Sequence, residues 1–179
     1  MLFLKALWLL LPAAFANMSP IVAKKIFPKW DTPIDYGKKW RHQQIFGSHK
    51  TYRGLVSGTV IGFVVFYLQQ ILFAKFPVIS NLSYFDYQTT SPLFGAAMGL
   101  SALLGDLIKS FFKRRLNIAS GKPWIPFDEI DWIVGALICV TFIFTPNFNL
   151  VLASLIVGVS SHFIIRRISY LLHFVTTPL

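Results

Sequence analysis

The sequence is poor in negative charge: seven Asp and Glu residues stand against seventeen Lys and Arg in 179 positions. It has one cysteine, Cys139, which leaves no partner for an intrachain disulfide and no cysteine cluster for zinc. Its four histidines (His42, His49, His162, His173) never stand four apart or beside that cysteine, so the common zinc spacings are excluded. His162 and His173 read as packing or interfacial groups. No G-x-x-x-x-G-K-[ST] run is present, and no G-x-S-x-G elbow frames a serine. The basic excess has no nucleic-acid-binding module around it, so nucleic acid is not an expected partner.

What the chain does have is apolar surface. It is 55% hydrophobic and 13% charged, with a mean hydropathy of +0.60, values that belong to an integral membrane protein. The length and the lack of a linker or repeat predict one membrane-embedded domain over residues 1–179. Crossing about 30 Å of hydrocarbon takes roughly 17–25 helical residues. Apolar segments at 1–23, 54–76, 92–112, 132–145 and 150–165 therefore predict an all-α bundle of about five transmembrane helices, the fourth being short. The last two are joined by the turn Pro146-Asn147-Phe148-Asn149. The start, "MLFLKALWLLLPAAFAN", shares features with a cleavable signal, but its apolar character runs on into a basic cluster and predicts a retained helix.

Fifteen of the seventeen basic residues fall on one side of this topology; Lys5 and Lys75 are the others. The positive-inside rule makes the two basic loops cytoplasmic and places the N-terminus outside a cell (plasma) membrane. Trp30, Trp40, Tyr84, Tyr87, Trp124 and Trp132 lie near span ends, where an interfacial belt is expected. Gly95 and Gly99, four apart, suit close helix packing within the chain or between copies of a homo-oligomer.

Against this background, "GDLIKSFFKRRLNIASGKPWIPFDEID" (105–131) is a knot of charge. It holds Asp106, Asp128, Glu129 and Asp131, four of the seven acids, with five bases between them. Asp106, Lys109 and Lys113 follow an i, i+3, i+7 spacing and share a helix face, and Asp128 and Asp131 share another. Carboxylates at the end of a membrane helix suit Mg²⁺, which binds hard oxygens and leaves positions to substrate phosphates. Paired helix ends and a capping Asp128 are the plainer alternative. A second patch, "GSHKTYRG" (47–54), offers Lys50, Thr51 and Arg53 as phosphate donors between two glycines, with His49 beside them; a headgroup-binding flank explains it equally well.

"GDLIKSFFKRR", then "GKPWIPFDEIDWIVGAL", taken with the upstream "GSHKTYRG", closely resembles the CDP-archaeol synthase family and, more distantly, CDP-diacylglycerol synthases. The resemblance covers residues 47–137. It implies a cytidylyl transfer from CTP to a lipid phosphate, with membrane lipids around the site and Mg²⁺ as cofactor. It further implies that Asp106, Asp128 and Asp131 bind the metal and that Lys109, Lys113 and Arg114 act on phosphates. Gly47, His49, Lys50, Thr51 and Arg53 would complete the substrate-phosphate pocket, with a lateral opening for the lipid tails. Glu129 departs from the family pattern, which usually has Gln there. Two readings compete: a CDP-diacylglycerol synthase acting on phosphatidic acid, and a non-enzymatic membrane protein or transporter that binds anionic lipid. An alcohol phosphotransferase is excluded, because its D-G-x-x-A-R run is missing.

Overall fold

The computed structural model describes residues 1–171; His173 and the side chain of His162 lie outside that description. Its helices are α1 (Leu2–Ile26), α2 (Tyr52–Lys75), the short α3 (Pro77–Ser80), α4 (Leu93–Arg115), α5 (Phe127–Val140) and α6 (Phe148–Leu171). One two-residue hairpin, β1 (Lys39–Trp40) paired antiparallel with β2 (Gln43–Gln44), interrupts the α1–α2 loop. The chain is mostly helical, as expected, and three of the five expected spans are matched by helices of spanning length. α1, α2 and α4 are each long and apolar enough to cross a membrane. α5 has 14 residues, about 21 Å at 1.5 Å per residue, short of a full crossing. It also runs five residues earlier than the expected 132–145, because the chain turns after Val140 through Thr141–Phe144.

Local chemistry sets these ends. Lys113, Arg114 and Arg115 occupy the last turn of α4, and Asp128 and Glu129 the first turn of α5, each sign matching the helix dipole it meets. Thr51 caps α2 by accepting a hydrogen bond from Gly54 N at 3.2 Å. Asn147 does the same for α6 through Leu150 N.

α4 is central: it packs against α1, α2 and α5, while α6 closes on α1 and α5. α1 is built into this core, with Ala6, Leu9, Leu10, Ala13 and Ala16 buried. The α2–α4 seam is backbone on backbone. A Cβ on Gly62 would strike Gly95 O, and one on Gly99 would come within 2.6 Å of Gly58 O. Gly95 and Gly99 thus pack inside the chain. Without a hydrophobic driving force between helices in lipid, such close van der Waals seams hold a bundle together. Two aromatics depart from the interfacial belt: Tyr87 and Trp132 are 1% and 3% exposed. Tyr87 stacks on Phe66, Phe73 and Phe85, which draws it inward.

Candidate active site

α4 ends in bases and α5 begins in acids, and the 116–126 connection folds the second helix back beside the first. At their crossing, Gly105 meets the backbone of Asp131, and Gly135 meets that of Ser101; a Cβ on either glycine would run into the facing carbonyl oxygen. This contact brings Asp106 and Lys109 of α4 level with Asp128 and Asp131 of α5.

The result is one cluster, where sequence spacing suggested two. Lys109 Nζ stands 3.0 Å from Asp106 Oδ1, 2.8 Å from Asp128 Oδ1 and 2.7 Å from Asp131 Oδ2. Lys50, from the loop before α2, pairs with the other oxygen of Asp106. Lys113 leaves Asp106 and donates instead to Asp128 Oδ1 and Oδ2, both at 3.1 Å, and to Lys122 O. Asp128 does not cap α5 as expected of a simple helix start. Its Oδ2 reaches back to accept from Trp124 N and so fastens the connection to the cluster.

A cavity of about 390 Å³ opens over these groups, lined by Asp106, Lys109, Lys113, Arg114, Asp128 and Asp131 from α4 and α5. His49, Lys50 and Thr51 line it from the other loop, so the two charged patches of the sequence face one space. The N-terminus of α2 also lies at this cavity, an arrangement that favours anions.

Two expected site residues stand apart. Arg53 is 3% exposed and faces away, donating to Phe27 O at 2.7 Å and Asp31 Oδ1 at 3.0 Å. It ties the exit of α1 to the start of α2, because a buried guanidinium needs fixed acceptors. Gly47, at φ +107°, is placed against the Arg114 guanidinium and Ser120, behind the cavity wall. Arg114 itself spends one donor on Ile118 O. Glu129 is 2% exposed and does not line the cavity.

Asp35 is a residue that motif reading missed. It is buried, and its carboxylate accepts from the backbone N–H groups of Gly37, Phe46 and Gly47, which shapes the loop that presents Lys50. The Asp-Tyr-Gly turn signal at 35–37 was available for it. An antiparallel bridge from Pro33 to Thr51 finishes the loop.

On the outer flank of α4 and α5 runs a second, apolar groove of about 680 Å³, lined by Leu104, Ile108, Phe112, Phe127, Val134 and Ile138 among others. Lys109 and Asp131 line both spaces.

Asp131 Oδ2 is buried and accepts no well-aligned hydrogen bond, although the Lys109 ammonium lies within ion-pair distance. Three hard carboxylates with such an open acceptor fit Mg²⁺ in chemistry. As they stand, though, the ammonium holds their shared centre, and no three acid, histidine or cysteine groups among the described residues form a ready metal cage.

Fold and site together define an integral membrane protein of several helices with a cavity lined by acids and bases at one end of its bundle. A family model described as CarS-like CDP-archaeol synthase matches residues 1–178, and the chain belongs to that family. Curated relatives named CDP-archaeol synthase include those of Pyrococcus furiosus (38% identical over 75% of this chain and 72% of the relative) and Pyrococcus abyssi (40%, over 74% and 72%). That of Methanocaldococcus jannaschii is 34% identical over 76% and 74%. A solved structure described as an intramembrane enzyme for archaeal membrane lipids biosynthesis superposes with a TM-score of 0.72. It is 28% identical, with 89% of this chain and 91% of that chain covered.

Proposed function

We propose that this chain is a CTP:lipid-phosphate cytidylyltransferase that makes CDP-archaeol from a geranylgeranylated glycerol phosphate ether lipid, releasing pyrophosphate. The observation that carries this reading is the meeting of a phosphate-ready cavity and an apolar groove at Lys109 and Asp131. An amphipathic lipid phosphate needs such a junction, with its head among cations and its tails against Leu104, Ile108 and Ile138. Family membership supports the same chemistry.

In the reaction, an oxygen of the lipid phosphate attacks the α-phosphorus of CTP. The bond from that phosphorus to the bridging oxygen breaks, and pyrophosphate leaves. The attacking phosphomonoester already carries about 1.5–2 negative charges, so no protein nucleophile or strong base is required. Catalysis then consists of positioning and charge stabilisation. Lys50 and Lys113 bind phosphate oxygens, and Arg114 closes the wall behind them. Asp106, Asp128 and Asp131 would hold Mg²⁺, which supplies Lewis-acid neutralisation of the phosphates when bound. We place the cavity at the cytoplasmic face, where CTP is available, with the N-terminus outside and five helices in the membrane.

The test is purified protein with radiolabelled CTP, Mg²⁺ and either the ether lipid phosphate or phosphatidic acid. A chloroform-soluble labelled product with the ether lipid, abolished by EDTA, is expected. Faster turnover of phosphatidic acid would reassign the lipid class, and no product from either would overturn the reading.

A further inference from the structure

Three carboxylates and three ammonium groups, those of Lys50, Lys109 and Lys113, balance in the cluster. Among the described residues only Lys109 touches all three acids, at 3.0, 2.8 and 2.7 Å, and so stands between them. A divalent cation arriving alone meets a neutral cluster whose centre is taken. A triphosphate changes that balance, because its oxygens compete with the carboxylates for the same ammonium groups. Lys109 lines the cavity where such a group would bind, and its charge sits on a flexible four-carbon stem able to follow a phosphate.

We propose that Lys109 is a placeholder cation: in the nucleotide-free protein its ammonium holds Asp106, Asp128 and Asp131 around the metal position, and it yields that position only when nucleotide phosphate draws it away. The inference rests on the reading that these acids take the metal. It makes Lys109 a positioning residue, and it makes metal and nucleotide binding mutually reinforcing, since coupling between two ligands is reciprocal. It also keeps the three acids from spreading apart. Without a cation at their centre, three carboxylates this close would repel one another.

The experiment uses the full chain in lipid nanodiscs with Mn²⁺ as probe, read by water-proton relaxation, which distinguishes slowly tumbling protein-bound Mn²⁺ from Mn²⁺ on free CTP. Wild type should bind Mn²⁺ at least about tenfold more tightly with CTP than without. Lys109→Met should bind Mn²⁺ without nucleotide at least about tenfold more tightly than wild type, a floor set under the roughly 30-fold that removing a unit charge about 4 Å from a divalent ion gives even at the dielectric of water. Its melting temperature should fall in EDTA and recover with Mn²⁺ alone, whereas that of wild type should ignore Mn²⁺ alone. A Lys109→Met affinity equal to or below wild type overturns the proposal. If that variant does not fold, wild type decides: equal Mn²⁺ affinity with and without CTP overturns it too. Failure of wild type to hold Mn²⁺ even with CTP would instead sink the underlying metal-site reading.

Discussion

Lys109 on α4 and Asp131 on α5 stand 2.7 Å apart, ammonium to carboxylate, where the charged cavity adjoins the apolar groove. The pair ties the two helices that carry the acids, and on the proposed reading it would mark the boundary between a lipid's polar headgroup and its tails.

Asp106→Asn, Asp128→Asn and Asp131→Asn each keep the side-chain shape and remove one charge of the cluster. Each should lower CDP-lipid formation by about 100-fold or more, the scale of a lost electrostatic stabiliser. The assay is initial rate at saturating CTP, with melting temperature as a control for folding. Full activity in all three variants refutes the role given to the acids.

Arg53 and Lys50 lie three residues apart and should behave oppositely. Arg53→Met removes the buried clamp on Phe27 O and Asp31 and should destabilise the protein by about 1–3 kcal/mol, read as a lower melting temperature. Lys50→Met should leave melting nearly unchanged and raise KM for CTP. The reverse pattern would return Arg53 to the substrate pocket.

Much of this site was legible in the sequence, and the limits are physical. Asp106 and Lys109 are a turn apart, so helix spacing alone pairs them. Lys113 was expected on the same face, yet it serves Asp128, 15 residues on, because the 116–126 connection brings α5 alongside. Lys50 reaches Asp106 across 56 residues, a contact only tertiary folding makes. Hydropathy located the apolar segments but not the rotation of each helix, so Tyr87 and Trp132 could not be told from interfacial aromatics. Arg53 looked like a phosphate ligand because composition does not say which way a guanidinium turns.

Val134 and Ile138 line the groove and are 44% and 58% exposed, so larger side chains there fill the groove without disturbing the core. Val134→Trp and Ile138→Trp should raise KM for the long-chain lipid phosphate while leaving a short-chain, soluble glycerol ether phosphate unaffected. Equal effects on both substrates would remove the tails from this groove.

Gly105→Ala tests the crossing itself. Its new Cβ meets the carbonyl of Asp131, so α4 and α5 must part, at a cost of about 1–3 kcal/mol for overpacking. Activity should drop with helix content unchanged by circular dichroism, because Asp131 moves away from Lys109. An unaltered rate would show that the crossing does not set the geometry of the acids.

The apolar groove is open along its flank, with Ile108 and Ile138 each 58% exposed on it. A lipid seated there need never pass through water, either on arrival or after its headgroup has been exchanged. On the proposed reading its product would leave sideways into the bilayer and meet whatever consumes it by a search in two dimensions. Traffic through such a catalyst therefore follows the surface density of lipid in the membrane, and only the nucleotide is counted per volume of solution.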